Sequence, residues 1–514
     1  MSRFAGSFRR KPIASATVAG DGMHRVLGAG HLTLFGVGAI VGAGIFSSIG
    51  QMAAGSPGVP GAGPALCLSY VLTAVVCGLA ALCYAEIAAL IPAAGSAYSY
   101  AFAAFGEIWA WIIGWDLIIE YAIGNVYVAQ SWSDYFRSFV RGAAGVDLPG
   151  WLASDFQTAA LDPLISAGAP RIGGHVVAVN LPAAAITILL TVVLVAGIRH
   201  SARLNSLLVL FKLALIGAFV AVGAAYLRPA NWRPFAPGGW KGIWTGASLA
   251  FFSYIGFDAI STVAEETRAP ERALPRAMLA SLAICAVLYV VTAAVMTGLV
   301  PSSQLGTGDP LAHALRSAGL DRLATLMAFG SVVAVTAVLL VFQLGQARIL
   351  LAMARDGLLP AAFGRLHPRR GTPAFGTIVT GAFVAVMPTL LTPSQALELT
   401  SIGTLFAFIV VAGGVIALRR SQPDRPRPFR CPGYPWTPLA SIAASLVLML
   451  GLPATNFWRF GIWLVVGLIV YLIGRRRAGR IRSTLSVCIV VAGLAASAAG
   501  EVTAGGTVTV GSVL

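Results

Sequence analysis

Charge is scarce in this chain. Asp, Glu, Lys and Arg together make 11% of 514 residues, against roughly 25% in a soluble domain. Hydrophobic residues make 57%, more apolar surface than a water-soluble fold of this length could hide, which excludes an ordinary soluble protein. The six cysteines, Cys67, Cys77, Cys83, Cys285, Cys431 and Cys488, show no metal-ligand spacing and read as small apolar packing residues. Six histidines are equally uninformative. His175, His200, His313 and His367 fall in loops or at helix ends, His31 opens the first apolar segment, and His24 lies before it. No His, Ser or metal constellation sits inside the apolar segments, which argues against an enzyme, and no cofactor is expected.

What is present is a series of apolar runs near the 20 residues that span a bilayer as a helix. They lie near 31–54, 63–91, 102–136, 181–198, 203–227, 242–264, 277–300, 323–350, 374–391, 398–418, 435–453 and 457–474. A weaker thirteenth, 483–500, is rich in Ala and Gly. The formal charge of +16 sits in alternate connections: Arg9, Arg10 and Lys11; Arg199 and Arg203; Arg268, Arg272 and Arg276; Arg365, Arg369 and Arg370; Arg419 to Arg430; Arg475 to Arg482. The connections between them hold few bases. That alternation is the positive-inside pattern and places the N-terminus in the cytoplasm. No polar domain with aromatic platforms accompanies the charge, so no nucleic-acid partner is expected. No apolar stretch precedes Leu32, so no removable signal peptide is expected.

Two of the apolar runs are interrupted at their centres. The first, HLTLFGVGAIVGAGIFSSIG, carries Gly36, Gly38, Gly42, Gly44 and Gly50; the second, WTGASLAFFSYIGFDAISTVAEE, carries Gly256 and Asp258. Unwound backbone at membrane depth is tolerable only where it lines a cavity or is buried in protein. Paired interruptions in corresponding halves point to a transport site. At Ile40-Val41-Gly42-Ala43-Gly44-Ile45, a break would aim the freed N–H groups of the following half-helix at one spot, a natural seat for a carboxylate. The glycines could instead let two helices pack closely. At Phe252-Ser253-Tyr254-Ile255-Gly256, a break would free carbonyls that accept from an ammonium. Donors at one break and acceptors at the other would bind a zwitterion at its α-carbon. Asp258 is a functional candidate because burying an acid in a membrane is costly; it could also cap the second half-helix.

Other ionisable residues fall inside the runs. Lys212, in LNSLLVLFKLALIGAF, is flanked by apolar residues, and desolvation disfavours its charged form, which suits it to load and release a proton. Asp116 and Glu120, in WDLIIEY, are four residues apart and share a helix face; one would sense a basic substrate side chain, or both would form structural bonds to neighbouring helices. Glu86 sits near a cytoplasmic helix end, as a structural or gating contact. Glu265 and Glu266, followed by Arg268, Arg272 and Arg276, could form a cytoplasmic ion-pair gate, with Arg348, Arg355 and Asp356 a second such group. Both could equally be solvated loop.

These motifs resemble the amino acid–polyamine–organocation (APC) superfamily, most of all its bacterial cationic amino acid transporter family. The carriers are GAGIF at 42–46, YAEIAALIPAAGSAYSYAFAAFGEIWAWIIGWDLIIEY, FFSYIGFDAISTVAEETRAPERALPRAM, QARILLAMARDGLLP and RPRPFRCPGYPWTPL, over roughly residues 25–475. The resemblance implies an all-α integral membrane protein of the leucine-transporter type: a 5+5 inverted repeat with broken first and sixth helices, and 12 transmembrane helices or 13. It implies that backbone at Ile40, Ala43 and Gly44 receives a carboxylate, that carbonyls near Phe252, Ser253 and Ile255 receive an α-amine, and that Phe252 gates the site. It also implies that Lys212 matches a lysine of proton-coupled, sodium-independent members. Ala43 departs from the hydroxyl residue often found there, Ser47-Ser48 from an apolar pair, and Asn125, Tyr127 and Gln130 make the third segment more polar.

The expected organisation is a cytoplasmic tail 1–28, a five-helix repeat 29–230, an inverted repeat 231–420, two appended helices 421–480, and 481–514 as a thirteenth helix or tail. The expected function is uptake of L-amino acids across a bacterial inner membrane by alternating access, coupled to protons. An exchanger and an amino-acid-sensing transceptor are the alternatives. Membrane lipid surrounds the bundle; a lipid or a small accessory helix could sit at the appended helices, and a monomer or a dimer is compatible with the chain.

Overall fold

A computed structural model describes residues 27–56, 58–92, 95–173, 175–197 and 202–476. The side chains of 202–205, 265, 266 and 474–476, and all of 477–514, lie outside the described residues. So do the tail 1–26, the bases at 475–482 and the thirteenth segment 483–500.

The described chain is a helical bundle: α1 (Ala29–Ile40), α2 (Ile49–Ala54), α3 (Leu66–Leu90), α4 (Ser96–Phe105), α5 (Glu107–Ile118), α6 (Gly124–Ala144), α7 (Leu181–Ala196) and α8 (Ala202–Ala224). It continues with α9 (Gly239–Ala250), α10 (Pro270–Leu299), α11 (Asp321–Arg355), α12 (Ala374–Leu390), α13 (Pro393–Ser421), α14 (Trp436–Leu450) and α15 (Ala454–Arg476). Among the described residues, eight helices are long and apolar enough to cross a membrane, and α1 with Gly44–Ala54 makes a ninth if that pair, bent by 43°, is one span. Leu181–Ala196, Ala374–Leu390 and Trp436–Met449 are shorter apolar helices at three of the expected places. Large apolar side chains face outward all along the bundle, among them Val75, Val287, Leu326 and Val386. A soluble protein would not tolerate so continuous an apolar surface. It is a multi-pass membrane protein.

One expected span is corrected. The run 102–136 is not one helix: α4 ends at Phe105, Gly106 takes φ 98°, and α5 restarts at Glu107. The apolar run resumes directly after Gly106-Glu107, but a residue at positive φ cannot continue a right-handed helix. The resulting span, Glu107–Ala144, is one-turn distorted by a π-helical stretch at Ile119–Ile123.

The helix ends are fixed by local chemistry. Asn180 accepts from the Ala183 amide to start α7, and Thr392 with Gln395 forms a capping box at α13. The interior is assembled around α10, which packs along both α3 and α1, while α11 packs along α6. The C-terminal helices are tied in by polar bonds. Trp111 and Trp115 of α5 donate to the Gly467 and Trp463 carbonyls of α15, at 2.8 and 2.9 Å. Glu86 of α3 takes a two-pronged pair from Arg419, at 2.9 and 2.6 Å, and the Cys431 amide at 2.7 Å, with Arg427 3.3 Å away. This cluster anchors the segment after α13 to the main bundle.

Candidate functional site

The two interruptions meet at the centre of the bundle. α1 stops at Ile40 because Val41 turns extended (φ −73°, ψ 93°), and a π-helical turn begins at Gly44. In the second interruption α9 runs into a 3₁₀ turn, Phe251–Tyr254; Ile255 is extended, Gly256 takes φ +121°, and a 3₁₀ stretch resumes at Asp258. The crossing needs glycine on both sides. A Cβ on Gly44 would lie 2.4 Å from the Ser253 Cα, and one on Gly256 would lie 2.9 Å from the Ala39 carbonyl carbon. Ile40, Val41, Gly42, Ala43, Gly44 and Ile45 are all buried, as are Phe252, Ser253, Tyr254, Ile255, Gly256 and Asp258.

A helix interruption strands backbone groups that water would otherwise satisfy. The first is capped from outside. Lys212, in the middle of α8 and 1% exposed, reaches the carbonyls of Gly38 at 3.0 Å and Val41 at 3.1 Å. Its ammonium therefore sits at the carbonyl end of α1, where the helix dipole is negative. The Tyr289 hydroxyl of α10 lies 2.9 Å from the Ile40 carbonyl and 2.8 Å from the Ser253 carbonyl, and so bridges the two interruptions. The second interruption is capped mostly from within: the Gly256 amide donates to Asp258 Oδ1 at 3.3 Å, and the Ser261 hydroxyl to the Asp258 carbonyl at 2.6 Å.

Around this crossing lie two walls. One is aromatic: Tyr70, Tyr254 and Tyr289 form a cluster with ring centroids 5.2–6.2 Å apart, and Tyr127 meets Phe252 edge-on at 5.0 Å. The other is acidic. Tyr121 donates to Asp258 Oδ2 at 3.1 Å, and Glu120 lies against both Asp258 and Thr404. The π-helical turn that carries Glu120 and Tyr121 aims both at the second interruption; such turns recur at functional sites. Asp116 faces the backbone of α13 at Gly403, and neither of its carboxyl oxygens has a partner among the described residues. Among the described residues, none of these three acids has a basic partner. Two carboxyls in contact without a cation form a place for positive charge, either a proton or a cationic group.

The sequence candidates thus divide. The two glycine-centred stretches, Lys212, Glu120 and Asp258 come together. Glu86, Arg268 and Arg348 do not join them. Glu86 is held in the ion-pair cluster described above, Arg268 is exposed beside the strand-like contact of Leu27 with Thr267, and Arg348 lies half-buried on α11. The Glu265 side chain lies outside the described ones. Sequence reading missed Tyr289, Tyr121 and Thr404. Each is a polar group inside an apolar run, which is the only signal that could have found them.

A family model for amino acid permeases matches residues 27–474. The chain belongs to the amino acid permease family, within the APC superfamily. The branched-chain amino acid permease BcaP of Bacillus subtilis (strain 168) is 40% identical over 92% of this chain and 98% of its own length. The methylthioribose transporter of the same organism is 39% identical, covering 91% of this chain and 98% of its own. Cationic amino acid transporter 9, chloroplastic, of Arabidopsis thaliana is 36% identical over 87% of this chain and 75% of its own. The match covers both interruptions and Lys212. It makes this chain a transporter by family rather than an enzyme.

Proposed function

We propose that this permease takes up L-amino acids across the bacterial inner membrane by alternating access, coupled to protons and independent of sodium. Its frame would be two inverted five-helix repeats, with the N-terminus cytoplasmic and twelve spans when the three shorter apolar helices are counted. The amino acid's carboxylate binds the amides that follow the first interruption, at Gly42–Ile45. Its ammonium binds carbonyls at Phe252–Ile255, with Phe252 closing over it against Tyr127. Glu120 and Asp258 lie on the side where the substrate's side chain would extend, beside Tyr121.

The observation that carries this reading is the ammonium of Lys212 on the Gly38 and Val41 carbonyls. Charge-assisted hydrogen bonds are roughly twice as strong as neutral ones. A protonated Lys212 therefore holds the end of α1 firmly, and a deprotonated one holds it weakly. Proton loading and the angle of the first half-helix become one equilibrium, which is what coupling requires. The protonated ammonium at this place also takes the role that a bound sodium ion would otherwise fill.

The test is uptake of radiolabelled alanine, leucine and arginine into sodium-free proteoliposomes, with and without an inward proton gradient. Accumulation that needs the gradient and is lost in Lys212→Ala is the expected result, and the preferred label identifies the substrate class. Flux that ignores the gradient and requires internal amino acid would replace this reading with exchange. Binding without flux would replace it with a sensor.

A further inference from the structure

Away from the crossing, α5, α11, α12 and α15 enclose a cavity of about 390 Å³ whose walls are almost wholly apolar. Trp115, Phe363 and Val386 are among its lining residues, and Val386 is exposed on the outer face of the bundle, so the cavity opens toward the membrane. Two polar side chains break the apolar wall. Gln346 is 1% exposed and Thr380 3%. Among the described residues, neither carboxamide atom of Gln346 has a partner, and nor does the Thr380 hydroxyl.

Nearby polar side chains on the same two helices make at least one hydrogen bond each. Gln343, one turn earlier on α11, donates to Thr191 at 2.6 Å, and Thr377 on α12 donates to the Pro373 carbonyl at 3.0 Å. Buried polar groups are normally satisfied in this way. Gln346 and Thr380 line the same cavity, and together they offer donors and an acceptor there.

We propose that this cavity binds an uncharged lipid alcohol, with its hydroxyl on Gln346 and Thr380 and its apolar body against Trp115 and Phe363. A bare acyl chain would fill the volume and leave three polar atoms unpaired. Water would pair them and leave the apolar volume empty. A charged head group is disfavoured because no charged side chain lines the cavity. The depth is also suitable. α11 has 35 residues, so it is about 52 Å long and overshoots a hydrocarbon core of about 30 Å. Gln346 lies about 13 Å from its C-terminal end by the same rise, near one interface, where lipid hydroxyls reside. Ile118 and Ala122 line the cavity too, on the stretch that carries Glu120, so an occupant would brace the back of the acidic wall.

The test uses the full chain in nanodiscs of phosphatidylethanolamine and phosphatidylglycerol. A diacylglycerol with brominated chains is added, and in parallel the same lipid with its hydroxyl acetylated. The readout is quenching of the tryptophan fluorescence component that Trp115→Phe removes. The free alcohol should quench at about fivefold lower mole fraction than the acetate, the value of one neutral hydrogen bond. The preference should vanish in Gln346→Leu combined with Thr380→Val, while both lipids still quench. Thermal unfolding of that double variant verifies that it folds, and the wild-type comparison stands without it. Equal quenching by both lipids in the wild type, no quenching of the Trp115 component, or a preference that survives in the folded double variant would overturn the proposal.

Discussion

The two helix interruptions solve one problem in opposite ways. Each strands backbone polar groups at membrane depth. The first, at Val41–Ala43, is capped by side chains from other helices, Lys212 of α8 and Tyr289 of α10. The second, at Ile255–Phe257, is capped largely by its own continuation, Asp258 on the Gly256 amide. A self-capped turn keeps its geometry wherever its neighbours go. A turn capped from outside moves when the cap changes, and a lysine is a cap whose charge can change. The first interruption is therefore the one suited to respond to protonation, and the second is suited to serve as a fixed half of the site.

Several substitutions would break or sharpen that contrast. The largest effect is expected where the two turns touch. Gly256→Ala puts a Cβ at φ +121° and against the Ala39 backbone, and Gly44→Ala puts one against the Ser253 Cα. Strain of about 3 kcal/mol would cut the population of the closed crossing about a hundredfold, so uptake by either variant should be near background while both still reach the membrane. Near-normal uptake by Gly256→Ala would show that the crossing is not needed.

Next comes Glu86→Gln, which leaves Arg419 and Arg427 facing an uncharged group. Removing one partner of a buried pair costs about 3–5 kcal/mol. The loss should appear as a lower unfolding temperature, with substrate affinity in the surviving folded protein unchanged. A changed affinity would instead make Glu86 a gate. Tyr289→Phe removes the bridge between the turns at a cost of about 1–2 kcal/mol, read as roughly a tenfold loss of substrate affinity. The smallest effect is expected for Asp258→Asn. The amide oxygen can still accept from Gly256, so the self-capped turn should persist and affinity for a neutral amino acid should change less than about threefold. A large loss there would mean that the carboxylate charge, and not the cap, matters.

Much of this was legible from composition and pattern. Runs of apolar residues marked the spans, and the glycines at 44 and 256 marked the two turns, because only a residue without Cβ fits where two backbones cross. Lys212 stood out because an unscreened ammonium amid leucines is costly and so demands a reason. The interruption at Gly106 is marked only by one glycine and one charge, Gly106-Glu107, and was passed over because the apolar run resumes straight after them. Tyr289, Tyr121 and Thr404 were hidden for another reason. A single hydroxyl inside an apolar helix is common, and which one meets a stranded carbonyl depends on helix rotations that no pattern specifies. The cavity beside Gln346 is a property of four helices at once and has no sequence signal.

The most direct test of the central claim separates movement of substrate from its coupling to protons. Wild type and Lys212→Met would be compared in sodium-free proteoliposomes, first for counterflow exchange of the preferred amino acid and then for accumulation driven by an inward proton gradient. If the Lys212 ammonium is the changeable cap, the variant keeps counterflow and loses gradient-driven accumulation. Accumulation that survives in Lys212→Met would contradict the account.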